Sequence, residues 1–482
     1  MSALKNLGNK KNVVAITAAC LFAAVLVFLY VLPRYNFSDR FVEPGFEDED
    51  LLLIVGDANL SQNNSNPYPF MMFLNLRDWS IETINLKTLF QDLNVVSIVE
   101  ARPFLLNGQY KLVLATRGPE DINGTVLILG KTGRSWQDLK IEFREELPYP
   151  FVRSLFVGDI TGDGKEEIVV GAREGGFIKY YTFADGRWSG KTIDKLGVDK
   201  PAVAIHDLLV EDLDEDGLQE ILLTAHIPVS RLQDWDSKEL PQFKPKILQY
   251  KFDQAQGDWS KEIFWEYTET TPIAVMRLGN SAFIDEYYAH ARYLYSVDVD
   301  GDGTKEIVAT QRGGSQDLVA FKRHEDGWKQ DIIEDALSLD RQIIAVGDID
   351  NDGKVEIIAA TQEHDALLLY EYEQGKWERS LLATGLIEGR PDRVEPNFLR
   401  DKTRSQRIHE TEGVGSIQGV TILNSSEGKY KNILYIVSGH HTKAAQFYLF
   451  SYDPQKNLWG GELVAELEIG IHAWHMYPYF PH

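Results

Sequence analysis

A chain of 482 residues has room for two or three ordinary domains or for one large repeat architecture. Its 73 acidic against 49 basic residues leave a formal charge of -24, which argues against nucleic acid as a partner, because phosphates call for a basic surface. The single cysteine, Cys20, excludes a disulfide framework and a cysteine-based zinc site, so stability has to come from a packed core.

Residues 1–12 carry Lys5, Lys10 and Lys11 and read as a short cytoplasmic segment. Residues 13–32, Val13 to Leu32, form a 20-residue apolar run without a charge. That is long enough to cross about 30 Å of hydrocarbon as a helix. The lysines before it place the N-terminus inside and everything after it outside. A cleaved signal peptide is the rival reading, but no small-x-small site follows the run. The expectation is a single-pass signal anchor, a linker over 33–49, and a periplasmic or extracellular domain over 50–482.

That domain reads as all-β. Short β-branched and aromatic runs alternate with Gly, Asp and Asn turns, and no stretch sustains a 3.6-residue period. Four segments share one template: VGDITGDGKEEIVVGAR from Val157, VEDLDEDGLQEILLTAH from Val210, SVDVDGDGTKEIVATQR from Ser296 and VGDIDNDGKVEIIAATQ from Val346. Each is a strand, a tight acidic loop and a second strand, followed by an aromatic strand and a turn ending in tryptophan. The unit is four strands long and repeats about every 50 residues. Degenerate copies around 51–86, 111–143 and 432–465 complete a series anchored by Trp79, Trp136, Trp188, Trp259, Trp328, Trp377 and Trp459. Four-stranded sheets repeated radially make a propeller, here of seven blades, with the tryptophans packing between sheets. The first copy lacks a first strand, and the C-terminal run GIHAWHMYPYF is expected to supply it and close the ring.

The acidic loops read Asp-x-(Asp/Thr)-x-Asp-Gly-x-x-Glu. Their oxygens come from Asp159, Thr161, Asp163 and Glu167; Asp212, Asp214, Asp216 and Glu220; Asp298, Asp300, Asp302 and Glu306; and Asp348, Asp350, Asp352 and Glu356. Alternate oxygens at positions 1, 3 and 5 wrap a hard cation, glycine at position 6 permits the sharp turn, and glutamate at position 9 closes the shell. So many flexible oxygen ligands suit calcium better than magnesium, and about four ions are expected. Thr161 leaves the first loop one carboxylate short, so the weakest affinity is expected there. An acidic hairpin without an ion is the bland alternative, and its recurrence at one place in four units weakens it.

These loops with their flanking strands resemble the FG-GAP/VCBS repeats of integrin α-subunit propellers and of secreted bacterial proteins. Val157-Gly158 and Val346-Gly347 stand where Phe-Gly would be, and Gly171-Ala172-Arg173 approximates Gly-Ala-Pro. The resemblance implies a calcium-binding propeller over about residues 50–470. It leaves function open, because such propellers serve adhesion modules, polysaccharide lyases and sugar dehydratases alike.

The ends of the blades opposite the acidic loops recur in basic side chains. Arg117, Arg173, His226 and Arg312 stand six residues past the closing position, and Arg153, His206 and Arg292 six residues before the first aspartate, with Arg341 beside Gln342 in a fourth unit. Long insertions at Ile227–Lys246, Tyr267–His290 and Leu386–Gly413 are expected at the same mouth, together with His290, His409 and His440. Arginine forks in a funnel suit a carboxylate or sulfate, so the reading is a membrane-tethered binding module for an anionic glycan or protein partner. Strand-end arginines pairing with local acids are the plain alternative. An enzyme is the competing reading, a lyase or dehydratase using histidine and arginine at the mouth, with or without a transition metal. The sequence supports neither that metal nor a catalytic motif.

Overall fold

The computed structural model describes residues 51–58, 68–119, 123–132, 138–148, 151–172, 176–196, 204–228, 242–266, 271–272, 275–278, 281–284, 290–312, 318–334, 342–361, 366–384, 416–423, 431–438, 445–453, 458–467 and 471–478. All lie in one compact unit, Asp48–His482. The apolar run at 13–32 lies outside the described residues, and among those described no helix is long and apolar enough to cross a membrane.

The strands follow the four-strand period. β1 (Leu51–Ala58), β2 (Tyr68–Asn75) and β3 (Ile81–Asn85) open the series, followed by one turn of helix, α1 (Leu86–Leu89). The second blade is β4 (Ser97–Leu106), β5 (Gln109–Arg117), β6 (Thr125–Lys131) and β7 (Leu139–Glu146). The third is β8 (Val152–Gly158), β9 (Glu167–Ala172), β10 (Phe177–Ala184) and β11 (Arg187–Lys195). The fourth is β12 (Ala204–Glu211), β13 (Glu220–Pro228), β14 (Gln242–Asp253) and β15 (Asp258–Glu266), after which come the short β16 (Thr271–Pro272), β17 (Val275–Leu278) and β18 (Ser281–Ile284). The fifth is β19 (His290–Val297), β20 (Glu306–Arg312), β21 (Leu318–His324) and β22 (Gly327–Glu334). The sixth is β23 (Gln342–Gly347), β24 (Glu356–Thr361), β25 (Ala366–Glu373) and β26 (Lys376–Thr384). The seventh is β27 (Ser416–Leu423), β28 (Asn432–Ser438), β29 (Ala445–Asp453) and β30 (Leu458–Leu467), and β31 (Ile471–Pro478) is the last described strand.

Each blade is an antiparallel meander, and β31 pairs antiparallel with β1 to give the first blade the order β3-β2-β1-β31. The C-terminal strand thus completes the blade that the N-terminal copy leaves short, as the sequence implies. The first strands neighbour one another in the runs β4, β8, β12, β19 and β23, β27, with β31 between β27 and β4, and Tyr295 of β19 donates to the Ile344 carbonyl of β23. They form the inner wall of a closed seven-bladed propeller.

Alternation explains the core. The middle strands are buried on both faces, as in Leu112–Thr116 or Ile168–Ala172, so their residues serve two interfaces. Seven apolar clusters fill the described core, each shared by two neighbouring blades and together running once around the ring. The tryptophans take part as expected. Trp188 meets Phe104 of the preceding blade at 5.9 Å, Trp259 meets Tyr180 at 5.7 Å, and Trp328 meets Phe264 at 4.8 Å. Trp136 lies outside the described residues.

Two features depart from the sequence expectation. The insertions 227–246 and 267–290 are not simply loops: β13 and β14 extend as a paired ribbon through Pro228 and Phe243, and β17 and β18 form a separate hairpin. The insertion 386–413 lies outside the described residues. The second is a β-bulge repeated on the inner strands, leaving Val99, Arg153, His206, Arg292, Gln418 and Trp474 as the extra residues of six blades. A bulge sharpens twist and re-aims the chain locally.

Candidate metal centres and the opposite mouth

The hairpin joining the first two strands of blades three to six is the acidic loop in every case. Glycine at position 6 is required, since Gly164, Gly217, Gly303 and Gly353 have φ between 81° and 90°. Position 4 is left-handed too, at Gly162, Glu215, Gly301 and Asn351. The motif does not reveal that second demand, because two of the four residues are not glycine.

Backbone amides organise the carboxylates. The position-1 aspartate caps the turn: Asp159 accepts from the amides of Asp163 (3.1 Å) and Gly164 (2.8 Å), and Asp212 from those of Asp216 (3.1 Å) and Gly217 (2.9 Å). Asp298 and Asp348 accept from Gly303 and Gly353 in the same way. The closing glutamates are almost fully buried and use Oε2 to accept the position-2 amide, Leu213 to Glu220 at 2.8 Å, Val299 to Glu306 at 2.9 Å and Ile349 to Glu356 at 2.6 Å. Glu167 accepts from Ile160 at 3.2 Å. Each glutamate therefore keeps Oε1 for the loop interior.

The electrostatics register the strain of this arrangement. Desolvation, joined by repulsion from the neighbouring aspartates, pushes Glu167, Glu306 and Glu356 up to about 7. Glu220 is also raised by desolvation, but Lys251 counters the rise. Carboxylates grouped this way could hold a cation. Among the described residues, oxygens of Asp212, Asp214 and Glu220, of Asp298, Asp300 and Asp302, and of Asp348, Asp350 and Glu356 lie within 4.8 Å of one another. The first loop, with Thr161 in place of the position-3 aspartate, forms no such group.

A segment of residues 298–379, from the third acidic loop to just past Trp377, matches the family described as FG-GAP-like repeat. Blades five and six of this β-propeller carry an FG-GAP-like repeat. The match spans the acidic loops of both blades. No curated protein matches the chain. Among solved structures, a candidate 6-phosphogluconolactonase of Bacteroides uniformis is 10% identical over 89% of this chain and 99% of its own, at a TM-score of 0.49. AofleA of Arthrobotrys oligospora, as a triple-arginine variant, is 9% identical over 78% and 89%, at 0.39. The Aleuria aurantia fucose lectin is 11% identical over 75% and 93%, at 0.35, and has six blades rather than seven.

At the other end of the blades the register aligns the basic positions. Arg117 pairs with Ser97 and Arg312 with His290, each where a second strand ends and a first strand begins, and His226 pairs with Ala204, the first residue of β12, two residues before β13 ends. Arg153, His206 and Arg292 are bulge residues of their inner strands. Arg153 and His206 are buried, at 5% and 8% exposure, so they sit inside the wall and do not stand open at a rim. The guanidiniums of Arg117 and Arg153 approach the ring of Phe151 at 5.5 Å and 5.6 Å. Arg173, Arg341, His409 and His440 lie outside the described residues.

Sequence reasoning missed the side chains facing the acidic loops from the third strand. Register puts them one step past the recurring aromatic, at Thr182, Lys251, Lys322 and Glu371. Aligning the third strands on Tyr181, Tyr250, Phe321 and Tyr370 would have found them.

Proposed function

We propose that the chain is a calcium-dependent binding module whose basic mouth, opposite the acidic loops, takes an anionic glycan or an acidic protein surface. The propeller supports the coarse reading, an interaction module. The finer one rests on a single observation, the common register of Arg117, His226 and Arg312 at one end of the blades in a chain of charge -24. Positive groups collected at one mouth of an otherwise acidic molecule focus an anionic ligand there. In the same reading calcium fills acidic loops at the opposite end, and Val13–Leu32 tethers the propeller outside the membrane.

Binding of the full chain to an array of uronate-containing and sulfated oligosaccharides, with neutral sugars as controls, tests the ligand class. Retention of acidic sugars is expected, with Arg117→Ala and Arg312→Ala each weakening it about tenfold or more, since a charge-assisted hydrogen bond contributes roughly 1.5–3 kcal/mol. Equal binding of neutral and acidic sugars, or none, would leave the mouth without its assigned ligand.

A further inference from the structure

The four acidic loops are alike in sequence but not in what faces them. In each blade the third strand passes over the closing glutamate, and one residue stands opposite it. The partners Ile168 with Tyr181, Ile221 with Tyr250, Ile307 with Phe321 and Ile357 with Tyr370 fix that residue as Thr182, Lys251, Lys322 and Glu371.

In the fourth blade the Lys251 ammonium lies 2.6 Å from Asp214 Oδ2, 2.7 Å from Asp216 Oδ2 and 3.0 Å from Glu220 Oε1. These are the oxygens left over once the backbone amides of Leu213 and Leu218 have taken the other oxygens of Glu220 and Asp216. An ammonium has three donors; here it donates to Asp214 and Asp216, with Glu220 Oε1 within ion-pair distance. In the fifth blade Lys322 is bonded to Asp300, sits 3.9 Å from Asp331 and lies 4.4 Å from the centre of the Tyr372 ring.

The sixth blade is the reverse case. Glu371 faces the loop and pairs across the strands with Glu378, a like-charge pair that is unfavourable without a counter-ion. The loop's own lysine, Lys354, bonds Glu373 at 2.5 Å and stays 3.8 Å from Asp352. In the third blade Thr182 is neutral, and the loop's own lysine, Lys165, is largely exposed and bonds Asp163 at 3.1 Å. The second blade shows the same substitution carried further. An Asn107-Gly108 turn replaces the loop, and a buried Lys111 stands at the closing position, 2.8 Å from Glu142.

We propose that Lys251 and Lys322 are resident cations of the fourth- and fifth-blade loops, so that calcium fills only the loops of the third and sixth blades. This rests on the calcium reading above and refines it. The ranking changes as well: the sixth-blade loop, with Glu371 as a further carboxylate, binds most tightly, and the lysine-filled loops bind least. A tethered ammonium competes at high effective concentration, against ions that extracellular modules hold at only about 0.1–1 mM.

Equilibrium dialysis of calcium against the full chain distinguishes the cases. Two ions are expected for the wild type, three for Lys251→Thr, three for Lys322→Thr and four for the double variant. The reciprocal change Glu371→Lys installs an ammonium in the sixth blade and should reduce two ions to one. Circular dichroism checks that each variant keeps its β-structure, and Glu371→Lys decides the matter should either threonine variant fail to fold. A wild-type count that the lysine substitutions leave unchanged, or that Glu371→Lys leaves unchanged, overturns the inference. A wild type that binds no calcium removes the reading beneath it.

Discussion

Glu100 and Asp207 occupy the same step of the inner strand, one residue past the bulge, in blades two and four. Each reaches to the next blade, where Glu100 accepts the amide of Leu155 and Asp207 that of Leu294, both at 2.8 Å. Glu100 is also paired with Arg102 at 3.0 Å. Asp207 is pushed up to about 8 by desolvation and then by the charge of Glu100, with the amide bonds and Arg102 opposing. The native state therefore holds a proton that an unfolded aspartate, near 3.8, gives up. That contribution is complete below about pH 4 and is lost as pH rises toward 8, at no more than about 1.4 kcal/mol per pH unit. Denaturant midpoints at pH 5 and pH 8 should fall less in Asp207→Asn than in the wild type, because the amide keeps the Leu294 hydrogen bond and never ionises. Parallel midpoints in the two proteins would show that the carboxyl is charged throughout.

At the scale of the element, the closing strand has the largest consequence. Without β31 the inner edge of β1 is left unpaired, and each buried backbone group without a partner costs about 1–3 kcal/mol. A few such groups approach the 5–15 kcal/mol that holds a typical domain folded. A chain ending before Ile471 is expected to lose its cooperative thermal transition in circular dichroism. A cooperative melt within a few degrees of the full chain would mean that the ring does not depend on this strand. Such closure was legible beforehand because strand periodicity and the turn-tryptophan signal survive even in degenerate copies. The inner-strand bulges were not, because they arise from register between strands and leave no mark on residue type. The strands within 227–246 were hidden for a related reason: an inserted ribbon that pairs mainly with itself need not follow the blade template.

The whole molecule is a ring in which each blade depends on the next, and the acidic loops sit on those seams. Gln254 of the fourth blade donates to the Thr161 carbonyl of the third-blade loop at 3.0 Å. Arg323 of the fifth blade donates to Leu213 of the fourth-blade loop at 2.9 Å, and the Lys431 amide of the seventh to Ile349 of the sixth-blade loop at 2.6 Å. Ordering a loop thus braces two blades at once. The loops themselves were legible as oxygen clusters, since alternate acids around a fixed glycine are a local pattern. Their inequality was not, since it depends on Lys251, Lys322 and Glu371, far from the motif in sequence.

The most direct test compares thermal melts of the full chain in chelator and in 10 mM calcium. Two sites of about 0.1–1 mM affinity would contribute roughly 3–5 kcal/mol by mass action, a rise of a few degrees for a protein of this size. Superimposable melts, with and without the ion, would contradict the claim that these carboxylates are held together by cations.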